Sequence, residues 1–138
     1  MTEKTIMGKT VVRAWLTALG AVLILLGVLG LVPQFTGEPH TIPIHLEEGE
    51  MVLHWVLGIV TLGIAFGIRD EAMARNLANI LGVAFVVVGL GGFVAPDIGV
   101  WHVGVVDNVL HIVVGAVTLA VAMMNRDAMT QPRGGQAV

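Results

Sequence analysis

Two histidines of this chain sit in matched settings. Glu50 precedes His54 by four residues, and Asp107 precedes His111 by the same step. The series Glu50, His54, Gly58, Thr61, Ala65 and the series Asp107, His111, Gly115, Thr118, Ala122 both advance by four, four, three and four. Such steps hold one face of an α-helix. Each histidine therefore heads a stripe of small residues, the kind of face along which membrane helices approach closely. The spacing predicts that both imidazoles point into a helical bundle.

Three chemistries are open to such a pair. Each imidazole could simply hydrogen-bond its neighbouring carboxylate, Asn108 or a backbone carbonyl, and pin one end of the bundle. His54 and His111 could instead be the two axial ligands of a haem b, with Glu50 and Asp107 orienting the rings and a glycine one turn away leaving room for the macrocycle. Nothing basic lies near them to hold haem propionates. Or His54, His111, Glu50 and Asp107 could hold a transition metal, two imidazoles and two carboxylates being a set suited to zinc, copper or iron. His40, His45 and His102 could add ligands from the loops. There is no HExxH, EF-hand or Glu-x-x-His pattern, no nucleophile–base pair and no Walker motif. Gly89-Leu90-Gly91-Gly92 follows no strand and is no nucleotide loop. No catalytic residue is assigned, and the chain is read as non-enzymatic.

The elements that must carry these residues follow from composition. Of the 138 residues 56% are hydrophobic and 12% charged, with a mean hydropathy of +0.88. Soluble domains carry about twice that charge fraction, so a soluble globule is excluded. A net charge of −3 argues against nucleic acid as a partner. With no cysteine, disulfides, Cys-zinc sites and thiol catalysis are ruled out.

Four uncharged runs stand out: Ala14–Val32, Met51–Ile68, Leu77–Ala95 and Asn108–Met124. About 20 residues cross a bilayer core as a helix, and backbone groups in lipid must be paired within the segment. The expected fold is an all-α membrane protein, four transmembrane helices arranged as two parallel-repeat hairpins in one bundle. The spans are placed at about 14–33, 50–68, 76–95 and 104–124, between a tail of residues 1–13 and a flexible tail of residues 129–138. Pro33 and Pro96 mark helix ends. The first run lacks a small-residue cleavage pattern and reads as a retained span, not a signal peptide.

All seven basic residues (Lys4, Lys9, Arg13, Arg69, Arg75, Arg126, Arg133) lie in the two tails or the second loop. By the positive-inside rule both termini are cytoplasmic, and all five histidines fall in the outer half. Trp15 near the inner boundary, and Trp55 and Trp101 near the outer, read as an aromatic belt. The chain also repeats itself. Residues of the second span recur in the fourth at an offset of 57, and those of the first recur in the third at 62. The period-two stretch Thr41–Leu46 reads as a short extended segment over the bundle mouth. Arg69-Asp70-Glu71 reads as a solvated helix end.

The Leu-His-x-x-x-Gly motif of Leu53–Gly58, the Asp107–His111 motif with Gly115, and the paired glycine-rich spans resemble the DUF4383-like family of small four-span bacterial membrane proteins, whose function is unknown. The resemblance covers roughly Val12 to Met124. It implies a bacterial cytoplasmic membrane protein and supplies no catalytic residues. The leading expectation is a non-catalytic structural or accessory membrane component, in contact with lipid and acting with a second copy or a membrane-complex partner. The alternatives are a haem- or metal-binding redox subunit and a small transporter or channel. The few intramembrane polar residues, Thr17, Thr61, Asn79 and Thr118, offer little of the polar path that transport needs.

Overall fold

The structure, a computed structural model, describes residues 3–32, 48–98 and 101–124. It is all-helical apart from one small ribbon. Among the described residues four helices run in order: α1 (Glu3–Leu29), α2 (Glu48–Gly67), α3 (Glu71–Val94) and α4 (Val105–Met123). Each contains a segment long and apolar enough to cross a membrane: Val11–Leu29, Gly49–Gly67, Glu71–Val94 and Val105–Met123. The architecture is compatible with an integral multi-pass membrane protein whose apolar helix faces meet lipid.

The ends differ in detail from the expected spans. α1 begins at Glu3, well before the apolar run, because the residues up to Arg13 include no proline and only one glycine, Gly8, to break a helix. α3 starts at Glu71, where Asp70 is its N-cap and its side chain accepts from the Met73 amide at 2.8 Å. α3 ends just before Pro96. Between α3 and α4 lies an antiparallel ribbon, β1 (Asp97–Ile98) with β2 (Trp101–His102), which the sequence reading did not foresee. Pro33, the Thr41–Leu46 stretch and the C-terminal tail lie outside the described residues.

The helices pack as two hairpins, α1 against α2 and α3 against α4. In lipid there is little hydrophobic drive between helices, so close packing must supply the attraction. Glycine permits it. A Cβ on Gly20 would meet Leu62 and the Gly58 carbonyl, and one on Gly82 would meet Leu119 and the Gly115 carbonyl. Gly27 lies against Trp55, and Gly89 against Ile112; Gly30 lies against Met51, and Gly92 against Asn108. The partners in the second hairpin stand 62 and 57 residues beyond those in the first, so both hairpins are zipped by corresponding contacts.

The hairpins meet most tightly at the Arg13 end. Val12, Leu16, Ile64, Ala65, Ala74, Ala78 and Ala122 are buried together there. Arg13 anchors this end. Its guanidinium donates to the Ala65 and Ile68 carbonyls at 2.6 and 2.7 Å and pairs with Glu71 at 2.7 Å. It thus satisfies carbonyls at the C-terminal end of α2 and ties α2 to α3. Glu71 is therefore no solvated helix end, while Arg69 and Asp70 are exposed. A short distance along, Trp15 Nε1 donates to Thr118 Oγ1 at 3.0 Å, joining the two hairpins. Trp15 is half-buried, and its indole N–H, which needs a partner when removed from water, finds one in Thr118.

Candidate functional site

The other end of the bundle carries the histidines. Gly58, Thr61 and Ala65 are buried, as are Gly115, Thr118 and Ala122, so both small-residue stripes face inward as their spacing predicts. His54 and His111 are half-buried at the head of these stripes. The hydroxyls below them are satisfied locally. Thr61 Oγ1 donates to the Leu57 carbonyl at 2.6 Å, and Thr118 Oγ1 to the Val114 carbonyl at 2.7 Å. Thr17 Oγ1 likewise donates to the Arg13 carbonyl at 2.8 Å.

His111 Nδ1 lies 2.7 Å from the Asp107 carbonyl oxygen, one turn back on the same helix. A carbonyl only accepts, so Nδ1 carries the proton. In the neutral ring Nε2 is then a bare acceptor. The backbone carbonyl of Asp107 thus orients this imidazole. On α2, His54 Nδ1 is buried without a hydrogen bond. The Phe85 ring stands 5.7 Å from the His111 ring, centre to centre, at 30°.

Two cavities flank this group. The larger, about 210 Å³, lies between α2 and α3 and is lined by Glu50, Leu53, His54 and Leu57 of α2, by Leu81, Ala84, Phe85 and Val88 of α3, and by Val103 and His111. The smaller, about 100 Å³, lies between α1 and α4. Its walls are Leu19, Val22, Leu23 and Leu26 of α1 and Asp107, Leu110, His111 and Val114 of α4, with Glu50, His54 and Phe85 shared from the first. Each α1 position in the smaller cavity corresponds, 62 residues on, to an α3 position in the larger. The larger cavity has Ala84 where the smaller has Val22, and the missing methyl groups account for part of the extra space.

The structure thus brings His54, His111, Glu50 and Asp107 to one cavity lining. It does not gather them as a ligand cage: among the described residues no three His, Cys, Asp or Glu side chains are grouped to hold a metal ion. Nor is there room for a haem. Cofactor pockets usually run about 300–1,000 Å³, each cavity here is smaller, and Phe85 lines both. His40 and His45 lie outside the described residues; His102 belongs to the ribbon.

Sequence reasoning missed Phe85, Ala84 and Leu81, which shape the larger cavity. The only available signal was that they line the α3 face opposite the histidine stripe of α2. It also missed buried polar atoms without partners: both amide atoms of Asn79, and Oδ1 of Asn108 beside Gly92. No family model, no curated protein and no solved structure matches the chain.

Proposed function

We propose that this chain is an accessory, non-catalytic protein of a bacterial cytoplasmic membrane, built from a duplicated helical hairpin and working beside a second copy or a partner subunit. The observation that carries the reading is where its polar side chains go. Arg13, Trp15, Thr17, Thr61 and Thr118 all bond to backbone or to one another within the bundle. They hold helices together, and the cavities between the helices are walled mostly by apolar side chains. The duplication is supported by the corresponding glycine contacts and cavity walls of the two hairpins. The resemblance to the DUF4383-like family supports the bacterial setting.

The orientation follows from charge: Arg13, Arg69 and Arg75 share one end of the bundle, which faces the cytoplasm with both termini. The cysteine-free chain makes this testable. In intact cells a single cysteine at Thr41 is labelled by an impermeant maleimide, and one at Arg75 is not. The reverse pattern would overturn the topology.

A second reading, a redox subunit with a cofactor at His54 and His111, is favoured by one feature: the His111 tautomer leaves Nε2 free as a ligand atom. A haem would need Phe85 to move out of the space between the cavities. A Soret band in the purified protein would favour it over the accessory role.

A further inference from the structure

We infer that the larger cavity, between α2 and α3, is a binding site for a monocyclic phenol reached from within the bilayer. Size, lining, polarity and access all point there.

The cavity is about 210 Å³. An apolar cavity of about 150 Å³ is enough to hold a benzene ring, so this one takes a ring with a short substituent and excludes a fused macrocycle. Leu57, Leu81, Ala84 and Phe85 make its wall apolar. Its polar lining residues are Glu50, His54 and His111, and in His111 a hydrogen bond fixes the tautomer of the ring. Its Nδ1 proton is committed to the Asp107 carbonyl, so the ring atom left for a guest is Nε2, an acceptor. An acceptor selects a guest that donates. A hydroxyl on an aromatic ring meets both demands, and because it both donates and accepts it can also pair with His54 Nδ1, buried in the same lining without a partner; an ether cannot donate to Nε2.

Access follows from the packing of the hairpins. Each hairpin is tightly zipped within itself, but α2 and α3, which belong to different hairpins, scarcely touch. Leu53 and Val88, which line the cavity, are 39% and 47% exposed on the helix surface that faces lipid. A guest therefore enters sideways, and a tail on it can stay in the acyl region. The counterpart cavity between α1 and α4 has Val22 in place of Ala84 and is half the volume, which makes it the narrowed member of the pair.

The same ring chemistry has two sources, a free small phenol or the phenolic head of a tailed lipid. The test is calorimetric titration of the full chain in nanodiscs, with empty nanodiscs subtracted. The probes are 4-propylphenol, 4-dodecylphenol and 4-propylanisole, whose methylated oxygen cannot donate. Saturable one-to-one binding of a phenol is expected, about tenfold tighter than the anisole, the factor one hydrogen bond supplies. Binding of the short phenol alone assigns the free source; binding of the dodecyl compound assigns the tailed one. Ala84→Phe should abolish saturable binding by filling the cavity, and Val22→Phe, in the other cavity, should leave it intact. His111→Leu should erase the difference between phenol and anisole. Only linear partitioning with every probe, equal affinity for phenol and anisole in the unaltered protein, or undiminished binding in a folded Ala84→Phe variant would overturn the assignment.

Discussion

Arg13 Nε lies 2.7 Å from Glu71 Oε1, and the rest of the guanidinium closes over carbonyls of the α2 C-terminus. One side chain thus ties three helices at the end of the bundle where the core is tightest. Arg13→Ala would leave Glu71 and two carbonyls without their partner. With the pair 29% and 18% exposed, the loss is expected at about 2 kcal/mol, below that of a fully buried pair. Arg13→Lys should recover less than half, because one ammonium cannot match a planar fork. Reversible unfolding in mixed micelles measures both.

Glycine substitutions should divide into two classes. A Cβ on Gly115 would stand 2.7 Å from the Gly82 carbonyl oxygen and 2.8 Å from the Val86 nitrogen, backbone that cannot yield without parting the hairpin. Gly115→Ala should cost about 1–3 kcal/mol. Nothing lies within 4 Å of such an atom on Gly63 or Gly91. Gly63→Ala and Gly91→Ala should be neutral or stabilising by up to about 1 kcal/mol, as expected of a mid-helix glycine. Thermal unfolding of the three variants separates the classes.

Thr118 accepts the Trp15 indole proton across the hairpins, and no tryptophan bond to Thr61, its counterpart, is seen among the described residues. Thr118→Val should cost about 1 kcal/mol and change the Trp15 emission maximum, the bond being a typical neutral one. Thr61→Val keeps the shape and has no such bond to lose, so its emission should match that of the unaltered protein. Fluorescence spectra on Trp55→Phe, Trp101→Phe backgrounds isolate the Trp15 signal.

Asn79 holds both amide atoms buried without partners. An unmet buried polar group costs about 1–3 kcal/mol, and an apolar residue of similar shape relieves it. Asn79→Leu should therefore raise the unfolding midpoint. A lower midpoint would mean that the amide has a partner in the membrane.

Much of this was legible in the sequence, and for a physical reason. Lipid forces each long apolar run into a helix, so the four spans could be read from composition alone. The step pattern of Glu50, His54, Gly58 and Thr61 likewise dictates a shared face, and burial of Gly58 and Thr61 agrees. What periodicity does not carry is the partner of a single side chain on another helix. Arg13 reads as a topology signal, yet it meets Glu71 and the carbonyls of α2. Trp15 reads as an interface anchor and finds Thr118. Phe85 is one apolar residue among many in α3, and only the juxtaposition of the hairpins shows it beside His111. Asp70 carries a local signal of its N-cap role, an Asx residue just before a helical stretch.

The central proposal is that His54 and His111 close the outer end of the bundle as structural residues and do not ligate a cofactor. An absorption spectrum, with metal analysis, of the full chain purified in mild detergent tests it most directly. The account predicts no Soret band and no stoichiometric metal. A Soret band, or stoichiometric metal, that is lost in His54→Ala and His111→Ala would contradict it.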